Sequence, residues 1–132
     1  MIKITKTYTD YKDLERTEDF FFNLTKAEIM DMEFSTTGGL TEYLTIISNA
    51  NDLPSAFKVF KELLSKSYGV RSADGRRFMK SEELSSEFLQ TEAYSMIFMD
   101  LTTDDEKMSN FIKGILPNDM ANKLDLELKT LS

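Results

Sequence analysis

The chain has 132 residues, of which 23 are acidic and 16 basic, giving a formal charge of −7. That length buries one hydrophobic core, and the absence of both cysteine and histidine removes thiol and imidazole catalysis, disulfides and the usual zinc sites. An acidic balance argues against a general nucleic-acid binder, and neither a membrane-length apolar run nor a signal-peptide pattern occurs, so a soluble cytosolic protein is expected.

Charge is unevenly placed. Residues 53–80 carry seven Lys or Arg against two Asp or Glu, a local balance of +5, whereas residues 81–132 carry four against eleven, or −7. Two solvated faces account for this, and so does head-to-tail self-association.

Residues 1–24 read as a β-hairpin. Ile2, Ile4 and Tyr8 alternate with polar residues, a polar break follows at 10–13, and Phe20, Phe22 and Leu24 then share one face. Phe21 falls on the other face, where it either packs or meets a partner. Thr25 and Glu28 have capping-box spacing and open a short helix over 26–34, which Gly38-Gly39 ends. Leu40, Tyr43, Leu44 and Ile47 form the apolar stripe of the next helix. Asp52 caps a third helix with Pro54 in its first turn and an inward face of Leu53, Ala56, Phe57, Phe60, Leu63 and Leu64.

A basic loop follows, with Arg71, Arg76 and Arg77 around the turn dipeptide Asp74-Gly75, and short pairing of 70–71 with 77–78 is expected across it. Ser81 caps a long helix running through Tyr94, Ile97, Phe98 and Leu101, with Ala93, Met96 and Met99 beside that stripe. Its apolar surface covers more than half its girth, as suits a central core helix or one that also faces a partner. Capping-box spacing recurs from Thr103 to Glu106 before a helix that turns Met108, Phe111, Ile112 and Ile115 inward. In the tail, residues 117–132, Met120, Leu124, Leu128 and Leu131 suit a helix while 124–128 alternates like a strand; we read it as helix. The expected fold is α+β, mainly α, with an N-terminal β-hairpin packed on a bundle of about five helices. It forms a single domain over 1–116, with the hairpin at 1–24 and helices over 25–116.

Chemistry-bearing clusters are few. Glu83 and Glu87 lie one helical turn apart and are spaced to share a divalent ion, but a solvated acidic face explains them more simply. Asp100, Asp104, Asp105 and Glu106 lack the glycine and spacing of a calcium loop. Arg71, Arg76, Arg77 and Lys80, with Tyr68 and Phe78 nearby, have the residue types for phosphate contact and base stacking, in a short segment with acidic neighbours. No catalytic, cofactor or metal residue is assigned, and the chain is not expected to be an enzyme or to bind nucleic acid or membrane.

Three motifs carry a resemblance. The stretch DFFFNLTKAEIMDME from Asp19 to Glu33, the loop Ser72–Ser81 within SYGVRSADGRRFMKSEELS, and Thr91-Glu92-Ala93-Tyr94 within FLQTEAYSMIFMDL occur in order. Together they resemble the tail assembly chaperones of long-tailed, siphovirus-type bacteriophages and prophages of Gram-positive bacteria, over most of Thr5 to Pro117. One departure is Lys12-Asp13 in the hairpin turn, where a glycine is expected.

The resemblance implies a host-cytoplasmic protein, absent from the virion, that binds and solubilises the helical tape measure protein and promotes assembly of the tail tube around it. It also implies homo-oligomerisation and a link to the tail tube protein through a longer, frameshifted product. A small acidic phage-encoded regulatory or anti-host-defence binding protein is the alternative reading. The expected protein-binding residues are Tyr68, Arg71, Arg76, Arg77, Phe78, Met96, Met99, Leu124, Leu128 and Leu131.

Overall fold

The computed structural model describes residues 1–35 and 38–121. Strands β1 (Ile2–Thr9) and β2 (Glu15–Phe22) form the expected hairpin, with Ile2 opposite Phe22 and Ile4 opposite Phe20. The turn dispenses with glycine because Asp13 itself takes a positive φ of 62°, which Asp tolerates better than most residues. Asp10 closes the turn: its Oδ1 accepts from the backbone N–H groups of Lys12 and Leu14, and its Oδ2 meets the Arg16 guanidinium at 2.6 Å.

The hairpin continues into a four-stranded antiparallel sheet of order β1-β2-β3-β4, wider than the sequence suggests. Strand β3 (Tyr68–Arg71) joins β2 through Phe22 opposite Tyr68, and β4 (Phe78–Met79) closes the edge. The last pairing is Val70 with Met79 and Arg71 with Phe78, one residue along from the expected register.

Three helices separate β2 from β3: α1 (Lys26–Ser35), α2 (Gly39–Ile47) and α3 (Leu53–Ser67). The Thr25–Glu28 capping box is present in both directions, Glu28 N–H donating to Thr25 Oγ1 at 3.2 Å and Thr25 N–H to Glu28 Oε1 at 3.0 Å. Asp52 caps α3 through Ser55 N–H, as expected. Two of that helix's supposed inward residues are not buried, Leu53 being 52% and Phe57 43% exposed. They lie in its first two turns, beyond the layer that covers Phe60, Leu63 and Leu64.

The long helix expected after Ser81 is two helices, α4 (Glu82–Leu89) and α5 (Glu92–Thr102). The Thr91 hydroxyl makes the break. It donates to the Phe88 carbonyl at 2.7 Å, ending one helix, and accepts from Tyr94 N–H at 3.1 Å, starting the next. Re-phasing at that point lets Phe88 of α4 and Ala93 and Ile97 of α5 all face the core. Helix α6 (Asp105–Ile115) is capped by Asp104, not Thr103, because the Asp104 carboxylate accepts from both Glu106 and Lys107 N–H. Residues 118–121 begin a further helical segment, and the Leu124, Leu128 and Leu131 expectation lies outside the described residues.

The core sits between the inner sheet face and the helices, with buried residues from each of α1 to α6. Phe22, fully buried, meets Tyr68, Phe88 and Phe111 at ring-centroid separations of 5.8, 5.7 and 5.3 Å. Helix α5 packs on β1, where Lys6 and Asp100 form an ion pair.

A second polar tie joins distant segments. Lys80 Nζ donates to the Asn23 carbonyl and to Glu28 Oε2, each at 2.6 Å, fastening β4 to the hairpin–helix junction. Burial disfavours the charged Glu28 carboxylate, but hydrogen bonds from Lys80 and Thr25 outweigh it and hold its pKa below the ordinary 4.5. For Lys80 burial is the larger effect and lowers its pKa despite Glu28. A carboxyl with a depressed folded-state pKa contributes stability above its unfolded value and loses it as pH falls through the folded one. Urea midpoints measured from about pH 7 down to about pH 3 should therefore decline less steeply for Glu28→Gln than for the parent as pH falls from the ordinary value of 4.5 through the folded-state pKa.

Candidate functional site

The basic loop is rigidly built. Ser72 N–H donates to the Arg77 carbonyl at 2.9 Å, Gly75 N–H to the Ser72 carbonyl at 2.9 Å, and Arg77 N–H to Ser72 Oγ at 3.0 Å. Asp74 Oδ1 receives both the Ser72 hydroxyl at 2.7 Å and Arg76 N–H at 3.0 Å, which keep its pKa below the usual carboxylate range. Gly75, at φ 74° and with nothing near its missing Cβ, supplies the left-handed position of this turn.

This scaffold separates the expected contact residues into two groups. Tyr68 is core material: its ring stacks on Phe88 at 4.3 Å and 11°, and burial raises its pKa. Phe78 lies over Gly69, where any Cβ would come within 2.6 Å of the ring. Arg71 is held above the Phe21 ring at 4.0 Å, so the outward aromatic of the hairpin is covered within the chain. Arg76 and Arg77 are different, being exposed and making no side-chain ion pair or hydrogen bond among the described residues.

On α5, Met96 is half-buried against the core and Met99 is 54% exposed. They do not adjoin the arginine loop through any described contact. The late leucines Leu124, Leu128 and Leu131 lie outside the described residues. Glu83 and Glu87 are exposed on α4, and no three acidic side chains among the described residues gather closely enough to hold a metal.

An apolar groove lies elsewhere. A groove of about 680 Å³ runs between α2, α3 and α6, floored by Phe60, Leu101 and Ile112. Leu44 and Ile47 form one wall, Met108 the other, and Leu53 and Phe57 stand at its mouth. Its polar lining is mostly hydroxyl, from Thr41, Thr45, Ser48, Thr102 and Ser109, with Asp105 the only ionisable side chain among the described residues lining it. Phe57 rests edge-on against Phe98 at 5.9 Å, which fixes it while leaving it accessible. Sequence periodicity assigned Leu53 and Phe57 to a buried face and so hid this groove; the only available hint was that α2 is shorter than the helix it covers.

The groove is therefore an open apolar surface edged by hydroxyls and one carboxylate. A family model of phage tail assembly chaperones matches residues 1–130. The chain belongs to that family. Comparison with curated proteins and with solved structures found no match. As a phage tail assembly chaperone it is expected to contact tail proteins. No helix among its described residues is long and apolar enough to cross a membrane.

Proposed function

We propose that this tail assembly chaperone binds the tape measure protein in the host cytoplasm, keeps it soluble, and promotes assembly of tail tube subunits around it without remaining in the virion. The family match carries the reading. The groove supports it physically, because a long helical client presents apolar stripes that aggregate unless covered, and helix-in-groove binding covers them. Leu53, Phe57 and the groove walls take the client's apolar stripe, with Met96 and Met99 as further apolar contacts on α5. Several copies along one client add weak contacts into tight overall binding.

Arg76 and Arg77 supply the polar contact, meeting an acidic surface of a neighbouring copy or of the client. The described chain offers such a surface in the exposed α4 carboxylates Glu82, Glu83 and Glu87. Arg76→Glu combined with Arg77→Glu should reduce self-association in sedimentation velocity or lower the amount of tape measure protein held in solution. Loss of neither would remove the loop from the account. No catalytic step, nucleotide or metal is involved.

Co-expression tests the function itself. The tape measure protein should move from pellet to supernatant when this chain is present; continued precipitation at matched expression would refute the proposal.

A further inference from the structure

We propose that the open edge of β1 takes up an extended, acidic segment of a partner protein as an additional strand, seated over the groove that β1 forms with α5 and α6. The edge is open because β1 is outermost in the order β1-β2-β3-β4 and pairs, among the described residues, with β2 alone. Its unpaired backbone groups follow from the hairpin register. Asp10 N–H donates to the Leu14 carbonyl across the hairpin, so the even-numbered residues of β1 turn their backbone groups toward β2. At the far side of β2, Asn23 N–H donates to the Ser67 carbonyl, in keeping with that alternation. Lys3, Thr5, Thr7 and Thr9 therefore point their N–H and C=O groups outward, along about 20 Å of strand.

Side chains beside this edge define what fits. A groove of about 310 Å³ lies between β1 and the two helices, with Ile2, Ile4, Ile97, Leu101 and Phe111 as its apolar lining. A strand paired to β1 turns every second side chain toward that groove, so the partner needs apolar residues at alternate positions. Charge selects the rest. Lys6 is matched by Asp100, whereas Lys3 and Lys107, also at the groove, are exposed and make no side-chain ion pair or hydrogen bond among the described residues. An incoming segment bearing carboxylates neutralises both, while a basic one is repelled. A second copy of β1 is a poorer occupant, because its sequence IKITKTYT brings further lysines and no carboxylate to the same place. Lysines on an exposed edge also discourage unselective pairing, which keeps the edge available to a complementary chain.

Fluorescence anisotropy of the full chain with a labelled peptide of alternating valine and glutamate, matched in length to β1, tests this. Saturable binding is expected, with the amides of Lys3, Thr5 and Thr7 gaining protection from solvent exchange in nuclear magnetic resonance spectra. Lys3→Glu combined with Lys107→Glu should weaken binding by roughly tenfold, since two attractions become repulsions at exposed sites. A peptide of the same composition, with its valines and glutamates in separate blocks, should bind far more weakly. No saturable binding, equal binding of the block peptide, or an unchanged affinity in the lysine variant overturns the proposal. So does self-association of the peptide-free chain that Thr5→Pro abolishes, which would give the edge to a second copy; proline is tolerated on an edge strand but removes the outward Thr5 donor. No tape measure protein enters these measurements, so their failure leaves the proposed function standing.

Discussion

Phe22→Ala should destabilise the chaperone by about 3–5 kcal/mol, the range for truncating a buried aromatic in a core that cannot collapse around the loss. Phe22 is fully buried at the junction of three layers: its backbone pairs with Ile2 on one side and Tyr68 on the other, and its ring meets rings from β3, α4 and α6. Each neighbour is held by something else. Tyr68 is stacked on Phe88, and Phe111 is wedged edge-on against Phe60 at 6.0 Å, so the cavity would persist. Domains of this size have only about 5–15 kcal/mol in total, so the variant should be marginally folded, with a melting temperature lower by roughly 10–20 °C. A thermal scan checks this; a shift of only a few degrees would mean that the aromatic cluster is far more adaptable than its geometry implies.

Replacing Leu53 and Phe57 together by aspartate should abolish most of the solubilisation of a co-expressed tape measure protein while leaving the chaperone folded. Both side chains are about half exposed, so an added carboxylate remains hydrated at little cost to stability. In the groove mouth the same charges would have to be desolvated against the client's apolar stripe, a penalty of several kcal/mol for each unpaired carboxylate. Phe34→Asp is the matching control, since Phe34 is 86% exposed on α1 and is not among the groove residues. It should leave solubilisation intact. Equal loss in the control and the double variant would show that general surface polarity, and not the groove, governs client holding.

Much of the architecture was readable because its determinants are local. Thr25 with Glu28, Asp52 with Pro54, Ser81, and Asp74-Gly75 each complete their hydrogen bonds or turn within a few residues, and each stands where the sequence places it. The Thr91 break was not readable, because a threonine within an amphipathic run caps a new helix only when the core demands a change of phase. Nor was the tie from Lys80 to Asn23 and Glu28, which joins residues more than fifty positions apart.

The contact surface divided similarly. Composition brought Tyr68, Arg71 and Phe78 into one basic–aromatic cluster with Arg76 and Arg77, yet three of the five are committed to packing within the chain. Periodicity identifies which side of α3 is apolar but not how far a neighbouring helix covers it. Leu53 and Phe57 therefore read as core until α2 was seen to leave them open.

Light scattering coupled to size exclusion, applied to the co-purified pair, tests the central claim most directly. The account predicts one soluble species whose mass requires both the tape measure protein and several copies of this chain. A tape measure protein that elutes free of the chaperone, or only as aggregate in its presence, would contradict it.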